Sequence, residues 1–198
     1  MKRIRSFFCA LTLVLLLSPV LYAKTFEIDP HHSAVAFKIR NLFLHVDGRF
    51  TEFKGSIHYD PKDPSSWSTN ATIQAASIDT RITRRDKHLR SADFFDVEKF
   101  PIMTFISTGV TDVTETGAKL KGELTLHGVT KPVVLDLRMK GSGEDAKDKT
   151  RARFTATTKI NRKDFGLVWN RAVEGGGFVI GNEVTVTIEV EAILRSGL

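Results

Sequence analysis

Four runs in the second half of the chain alternate apolar and polar residues one by one, and this period of two limits the fold more than any other feature. Leu120, Gly122, Leu124 and Leu126 interleave with Lys119, Lys121, Glu123 and Thr125. Val133, Leu135, Leu137 and Met139 oppose Asp136, Arg138 and Lys140, and Phe154, Ala156 and Ile160 oppose Arg153, Thr155 and Lys159. Val184, Val186, Ile188 and Val190 face away from Thr185, Thr187, Glu189 and Glu191. Strands with one apolar face each predict antiparallel sheet with one side solvated.

The first half adds strand patterns over Thr25 to Ile28, Ala34 to Arg40, Val46 to Tyr59, Ser68 to Ile78 and Ile102 to Val113. Turn signals separate the strands: Asp29-Pro30, Asp60 to Pro64, Thr116-Gly117, His127-Gly128 and Gly141-Ser142-Gly143. The segment Arg81 to Phe95 is the only one that reads as a helix, and Gly141 to Lys149 reads as a polar hairpin loop. Eight or nine strands leave edges to hide, and closing the sheet into a barrel removes them. An eight-stranded barrel has an interior that side chains fill or that holds one small ligand. The same alternation fits an outer-membrane barrel with its apolar face outward. Two Trp and two Tyr in the whole chain are too few for aromatic girdles, and the central helical segment and the Gly197-Leu198 ending also argue for an apolar interior.

The N-terminus is of a different kind. Basic Lys2, Arg3 and Arg5 precede an apolar stretch from Phe7 to Leu17 broken only by Thr12, followed by Ser18-Pro19 and a small Ala23. This is the layout of a secretory signal cleaved after Ala23, and the run is shorter than the roughly 20 apolar residues that a spanning helix needs. Residues 1–23 are therefore read as a signal peptide, and residues 24–198 as one exported, periplasmic domain. The only cysteine, Cys9, leaves with the signal, so the mature chain has no thiol or disulfide chemistry. Removing three basic residues from the 29 Lys and Arg leaves 26 against 23 acids, a net charge of +3. So small an excess predicts neither nucleic acid nor an anionic membrane surface as partner. The basic run Arg81 to Arg90, interspersed with Asp86 and His88, reads as a solvated helix face.

The polar groups carry no recognised catalytic pattern. His31, His32, His45, His58, His88 and His127 lack the spacing and clustering that zinc favours, and they read as turn and surface residues; no metal or cofactor is expected. Ser33 has no nucleophile elbow, and Gly175-Gly176-Gly177 lacks the strand and lysine of a phosphate loop. Asp86, His88, Ser91 and Asp93 could set an acid beside a base, but ties between a helix and its loops account for them equally well.

Several motifs together carry a resemblance. They are Asp29-Pro30-His31-His32-Ser33 with Val35 and Phe37; Val46-x-Gly48-x-Phe50 with Phe53-x-Gly55; Ser77-Ile78-Asp79-Thr80; and Arg85-Asp86-Lys87-His88-Leu89-Arg90-Ser91-Ala92-Asp93-Phe94-Phe95-Asp96. To these are added Phe100-Pro101-x-Met103-x-Phe105, Gly122-x-Leu124 to Lys131, and Asn161-Arg162-Lys163-Asp164-Phe165-Gly166. In this order, from about Lys24 to Ala192, the chain resembles the YceI family. The pattern is less clear over Trp169 to Val173 and in the pliable Gly175 to Gly177 loop. The resemblance implies an all-β fold, an extended lipocalin-like antiparallel barrel, whose apolar cavity holds a polyisoprenoid or a similar long-chain amphiphile.

Each methylene moved from water to an apolar cavity contributes about 0.8 kcal/mol, so ten give roughly 8 kcal/mol, a micromolar affinity before ordering costs. The candidate lining residues, all on apolar strand phases, are Phe37, Ile39, Phe50, Phe53, Ile57, Phe105, Leu124, Leu135, Leu137, Phe154, Val186 and Ile188; in a filled core the same residues would simply pack together. Asp79, Arg81, Arg84 and His88 are the candidate contacts to a polar head. Two functions remain open at this point. One is a non-enzymatic carrier or store for an isoprenoid such as a quinone or its precursor. The other is an enzyme or stress-response factor acting on such a lipid near His88 and Asp93. The sequence also leaves open whether two barrels associate as a homodimer.

Overall fold

The computed structural model describes residues 24–146, 149–172 and 179–195; residues 1–23, expected to be a signal segment, and Gly175 to Gly177 lie outside them. The described chain forms eleven strand segments and one α-helix: β1 (Lys24–Ile28), β2 (Ala34–Asn41), β3 (Leu44–Phe50), β4 (Phe53–Tyr59), β5 (Ser68–Gln74), β6 (Ile78–Asp79), α1 (Thr83–Arg90), β7 (Ile102–Thr111), β8 (Gly117–Leu126), β9 (Val129–Glu144), β10 (Thr150–Asn161) and β11 (Ile180–Leu194). All pairings are antiparallel. The order β1-β4-β5-β7-β8-β9-β10-β11 closes on itself through Phe26↔Leu194, Glu27↔Ile193 and Ile28↔Ala192. This is a closed eight-stranded barrel.

The same edge of β11 carries β2 along Val184 to Glu189, so β1 and β2 lie one after the other on a single partner. β3 pairs with β2 and β6, and β4 pairs with β1 and β5. Three long strands are thus bent rather than continuous. The run expected to extend unbroken from Val46 to Tyr59 breaks at Thr51-Glu52, where the Thr51 N–H bonds to the Ser77 carbonyl and the Glu52 carbonyl accepts from Gln74 N–H. The run from Ser68 to Ile78 breaks at a 3₁₀ turn over Ala75–Ser77. The bends turn the upper half, β2-β3-β6, away from β7, and α1 packs on β6 at this gap.

The helix is shorter than the sequence suggests. It ends at Arg90 because Ser91 turns both its N–H and its Oγ onto the His88 carbonyl, at 3.1 and 2.8 Å, and residues 91–99 continue as turns. Nor is it a merely solvated face. Asp86 is buried and accepts from the Thr80 N–H and hydroxyl, Arg85 donates to Thr80 Oγ1 and its carbonyl, and Arg90 donates to the carbonyls of Ala76 and Ile78. The expected Gly141 to Lys149 loop is likewise mostly sheet: Gly141, Ser142, Gly143 and Glu144 pair with Arg153, Ala152, Arg151 and Thr150.

Tight turns finish the barrel where the sequence places them. His127 and Gly128 connect β8 to β9 with φ of 52° and 73°, the left-handed pair that a two-residue hairpin needs. A Cβ on Gly128 would also lie 2.5 Å from the Phe100 ring. At the seam where β1 passes into β2, Arg151 bridges Asp29 (3.1 Å), Asp145 (2.7 Å) and Glu191 (2.6 Å). The core is mostly apolar, with Phe165 and Ile78 the largest fully buried side chains, and Ser77, Thr80, Asp86 and Arg162 are buried with it.

Candidate functional site: the barrel cavity

The inward phases of the strands do not meet in the middle. They enclose a cavity of about 450 Å³, within the range of small-molecule sites. Phe37, Ile39, Phe50, Phe53, Ile57, Phe105, Leu124, Leu135, Leu137, Phe154, Val186 and Ile188 all stand on its wall. Close backbone approaches make room for the aromatic ones: Gly48 leaves space beside Phe37, where a Cβ would come within 2.3 Å of the ring, and Gly122 does the same for Phe105 at 2.4 Å.

The two ends differ. At the lower end Tyr59 packs between Trp67 and Phe154, with ring centroids at 4.9 and 5.2 Å, and Trp67 is buried. At the upper end α1, the turns after it and the 3₁₀ turn Arg162–Phe165 cover the cavity. There His88, Phe94 and Trp169 meet pairwise with centroids 4.9 to 5.0 Å apart. His88 lines the cavity while its side chain is 41% exposed, so the cavity wall reaches the surface at this rim. His88 Nε2 lies 2.8 Å from Asp93 Oδ2.

Basic side chains stand on the wall. Arg85, His88 and Arg162 line the upper end, His58 lines the lower end, and among the described residues the lining includes no Asp or Glu. Arg162 is 3% exposed; it donates from Nε to the Gly181 carbonyl at 2.9 Å and from Nη1 to the carbonyls of Leu167 and Trp169, while its buried Nη2 has no partner. Burial lowers the pKa of this guanidinium from its ordinary value. Arg162 therefore fixes the loop that carries Trp169, and its Nη2 is a buried donor without a partner among the described residues, in a mostly apolar wall.

Of the four candidate head contacts only His88 stands on the cavity wall. Asp79 faces the outside of β6, where its carboxyl is held below the usual range by the Arg81 N–H and then by Arg49. Arg81 is the exposed left-handed residue after it, and Arg84 lies on the outer side of α1. The neighbouring Arg85 turns inward instead. Arg162 and Trp67 were missed as site residues; Arg162 sits inside the Asn161 to Gly166 motif and was visible only as part of it. Among the other histidines, His58 bonds to Thr25 Oγ1 at 3.0 Å beside the cavity, and His127 packs edge-on against Phe100; neither is a simple surface residue.

Among the described residues one group has metal-like proximity, Asp29, His32 and Glu191, whose ligand atoms lie within 4.8 Å. Arg151 already bridges both carboxylates, so that cluster is an ion-pair network at the barrel seam. No described helix is long and apolar enough to cross a membrane.

Comparison with known proteins supplies the relationship. Residues 26–192 match the model of the YceI-like domain. A UPF0312 protein of Vibrio cholerae is 40% identical over 137 residues, 69% of this chain and 72% of that protein. One from Shewanella baltica is 41% identical over the same shares. Among solved structures, a YceI protein of Campylobacter jejuni superposes with a TM-score of 0.66 at 30% identity, covering 76% of this chain and 86% of that one. Burkholderia cenocepacia BcnA superposes at 0.72 with 20% identity, covering 83% and 98%. A polyisoprenoid-binding domain from Saccharophagus degradans superposes at 0.64 with 16% identity, covering 88% and 99%. With the family model matched from the first strand to the last and a closed barrel of the same build, the chain belongs to the YceI family.

Proposed function

We propose that the protein is a periplasmic binding protein that sequesters, carries or stores a polyisoprenoid or similar long-chain amphiphile, such as an isoprenoid quinone or its precursor. The observation that carries this reading is the cavity itself: about 450 Å³ of space, apolar along its length, plugged by aromatic rings at one end and reaching the surface at the other. A hydrocarbon tail gains about 0.8 kcal/mol per buried methylene in such a space. The twelve apolar residues named from the sequence hold the tail, and the polar end lies by His88, with Arg85 and Arg162 as further donors. A lining with basic side chains and, among the described residues, no carboxylate suits a head rich in hydrogen-bond acceptors.

In this reading residues 1–23 direct export and are cleaved after Ala23. The polyisoprenoid-binding domain of S. degradans shares the fold, which makes the ligand class a natural first probe. Fold alone does not fix function. The protein, purified from the periplasm without detergent, is extracted with organic solvent and the extract analysed by mass spectrometry. A stoichiometric long-chain isoprenoid supports the carrier reading. An extract still empty after incubation with quinone and polyprenol mixtures defeats it.

A further inference from the structure

The upper rim exposes apolar residues that no part of the described barrel covers. At the β2–β3 hairpin Leu42, Phe43 and Leu44 stand in sequence at 43%, 98% and 74% exposure, and Val168 adds 64%. These are one neighbourhood. The Leu42 N–H bonds to the Val179 carbonyl at 2.7 Å, Asn41 pairs with Ile180, and Asn170 Nδ2 donates to the Ile180 carbonyl at 2.7 Å. Asn41, Val179, Ile180 and Trp169, which connect the hairpin to the Val168 loop, all line the cavity. The apolar tip is therefore continuous with the opening. Leu42 holds it at φ 52°, a conformation that bulky residues rarely adopt.

Among the described residues the unpaired charge around the tip is mainly basic. Arg40 and Arg171 are exposed on the adjoining segments, and Arg84 and Lys87 are exposed on α1, the helix whose His88 packs edge-on against Trp169. The acids nearby are largely paired: Asp47 with Lys38 at 3.4 Å, Glu183 with Lys159 at 2.8 Å and Asp93 with His88 at 2.8 Å; Asp164 is exposed on the same side. A net charge of +3 gives no hint of this, because the excess becomes a patch only when the fold gathers segments distant in sequence.

We propose that this rim docks on an anionic lipid bilayer, with Leu42, Phe43 and Leu44 entering the headgroup region and the surrounding cations facing anionic headgroups, so that the cavity opens onto the membrane. Apolar insertion together with basic attraction is the combination that holds a peripheral protein reversibly at such a surface. The inference rests on the carrier reading for its purpose but not for its test.

The test is co-sedimentation with vesicles of equal parts phosphatidylglycerol and phosphatidylcholine, and with phosphatidylcholine alone, using protein whose mass shows that residues 1–23 are gone. Wild type sediments with the anionic vesicles, less so in high salt, and not with the neutral ones. Phe43→Ser with Leu44→Ser lowers the apparent affinity about tenfold or more, and Arg84→Glu with Lys87→Glu lowers it by roughly the same factor. All four side chains are exposed, so circular dichroism should show unchanged folding. Both double variants keep wild-type affinity for a fluorescent polyprenol probe in solution. Wild type that ignores anionic vesicles, or a tip variant that binds them as wild type does, overturns the docking. Vesicle binding without uptake of the polyprenol probe leaves the docking standing and overturns the carrier reading instead.

Discussion

His88 and Asp93 stand 2.8 Å apart at the place where the barrel cavity meets solvent, and the His88 imidazole packs edge-on against Trp169. The pair has the form of a general base with an orienting carboxylate, yet it sits half-exposed on a rim among Phe94 and Trp169. Its geometry is that of a strut between α1 and the turns that follow. In a carrier most of the affinity comes from the buried tail, so His88→Ala, which loses one contact to the head, and Asp93→Ala still retain bound lipid, with affinity lowered by no more than about tenfold. The check is lipid stoichiometry in organic extracts. A variant that loads normally but accumulates an unconverted lipid, where wild type releases a modified one, would assign the pair to catalysis.

Gly48 controls how much of the cavity Phe37 takes up. A methyl at Gly48 meets only the far end of the Phe37 ring, at 2.3 to 2.9 Å, so the ring rather than the backbone must yield, and the ring already lies 5.8 Å from Phe50 on the cavity wall. Gly48→Ala therefore drives Phe37 inward. The variant folds with a loss of about 1–3 kcal/mol in denaturant titration and binds a long-chain probe about tenfold more weakly. If Phe37 merely packs a filled core, stability falls while probe binding stays unchanged.

The sequence and the structure agree where side-chain alternation reports on one face of a sheet. Leu124, Leu135, Leu137, Phe154, Val186 and Ile188 could be placed inward from a period of two, and they surround the cavity. The alternation did not show that the cavity is open rather than filled, since Gly48 and Gly122 set that by what they lack. It also missed the breaks at Thr51-Glu52 and Ala75–Ser77, because a bend leaves the pattern nearly in phase on both sides. The polar wall was the least legible. Arg84 and Arg85 are equal in sequence, and only the Thr80 carbonyl and hydroxyl draw Arg85 inward.

Arg162 holds the Trp169 loop by donating to three carbonyls from a nearly dry position. Arg162→Ala leaves the carbonyls of Leu167, Trp169 and Gly181 without that donor, and a loss on the order of 3 kcal/mol is expected in chemical denaturation. Arg162→Lys keeps the charge but not the planar fork and recovers only part of this. Hydrogen exchange should rise first at residues 166–171. Equal protection there in wild type and the Ala variant would show that the loop is held by its apolar packing instead.

The barrel seam makes stability depend on acid in a predictable direction. Burial pushes the Asp29 carboxyl up, but bonds from His32, Arg151 and the His31 N–H more than offset this and hold it below its ordinary 3.8. Glu191 is held below its ordinary 4.5, chiefly by Arg153 and then Arg151. A carboxylate whose pKa is lower folded than unfolded contributes stability that is complete above the unfolded value and lost as pH falls through the folded one. The contribution of this network is therefore whole at neutral pH and drains away below about pH 4.5 and 3.8, the ordinary values of the two groups. Arg151→Met removes a cation shared by Asp29 and Glu191 and lets both pKa values rise toward those of the unfolded chain. Thermal melts across the acid range should then show wild type losing more melting temperature than Arg151→Met as pH falls through this window, with the two curves converging at the lowest pH. Parallel curves at every pH would mean that Arg151 acts through packing alone, and that the seam is held by its backbone ladder.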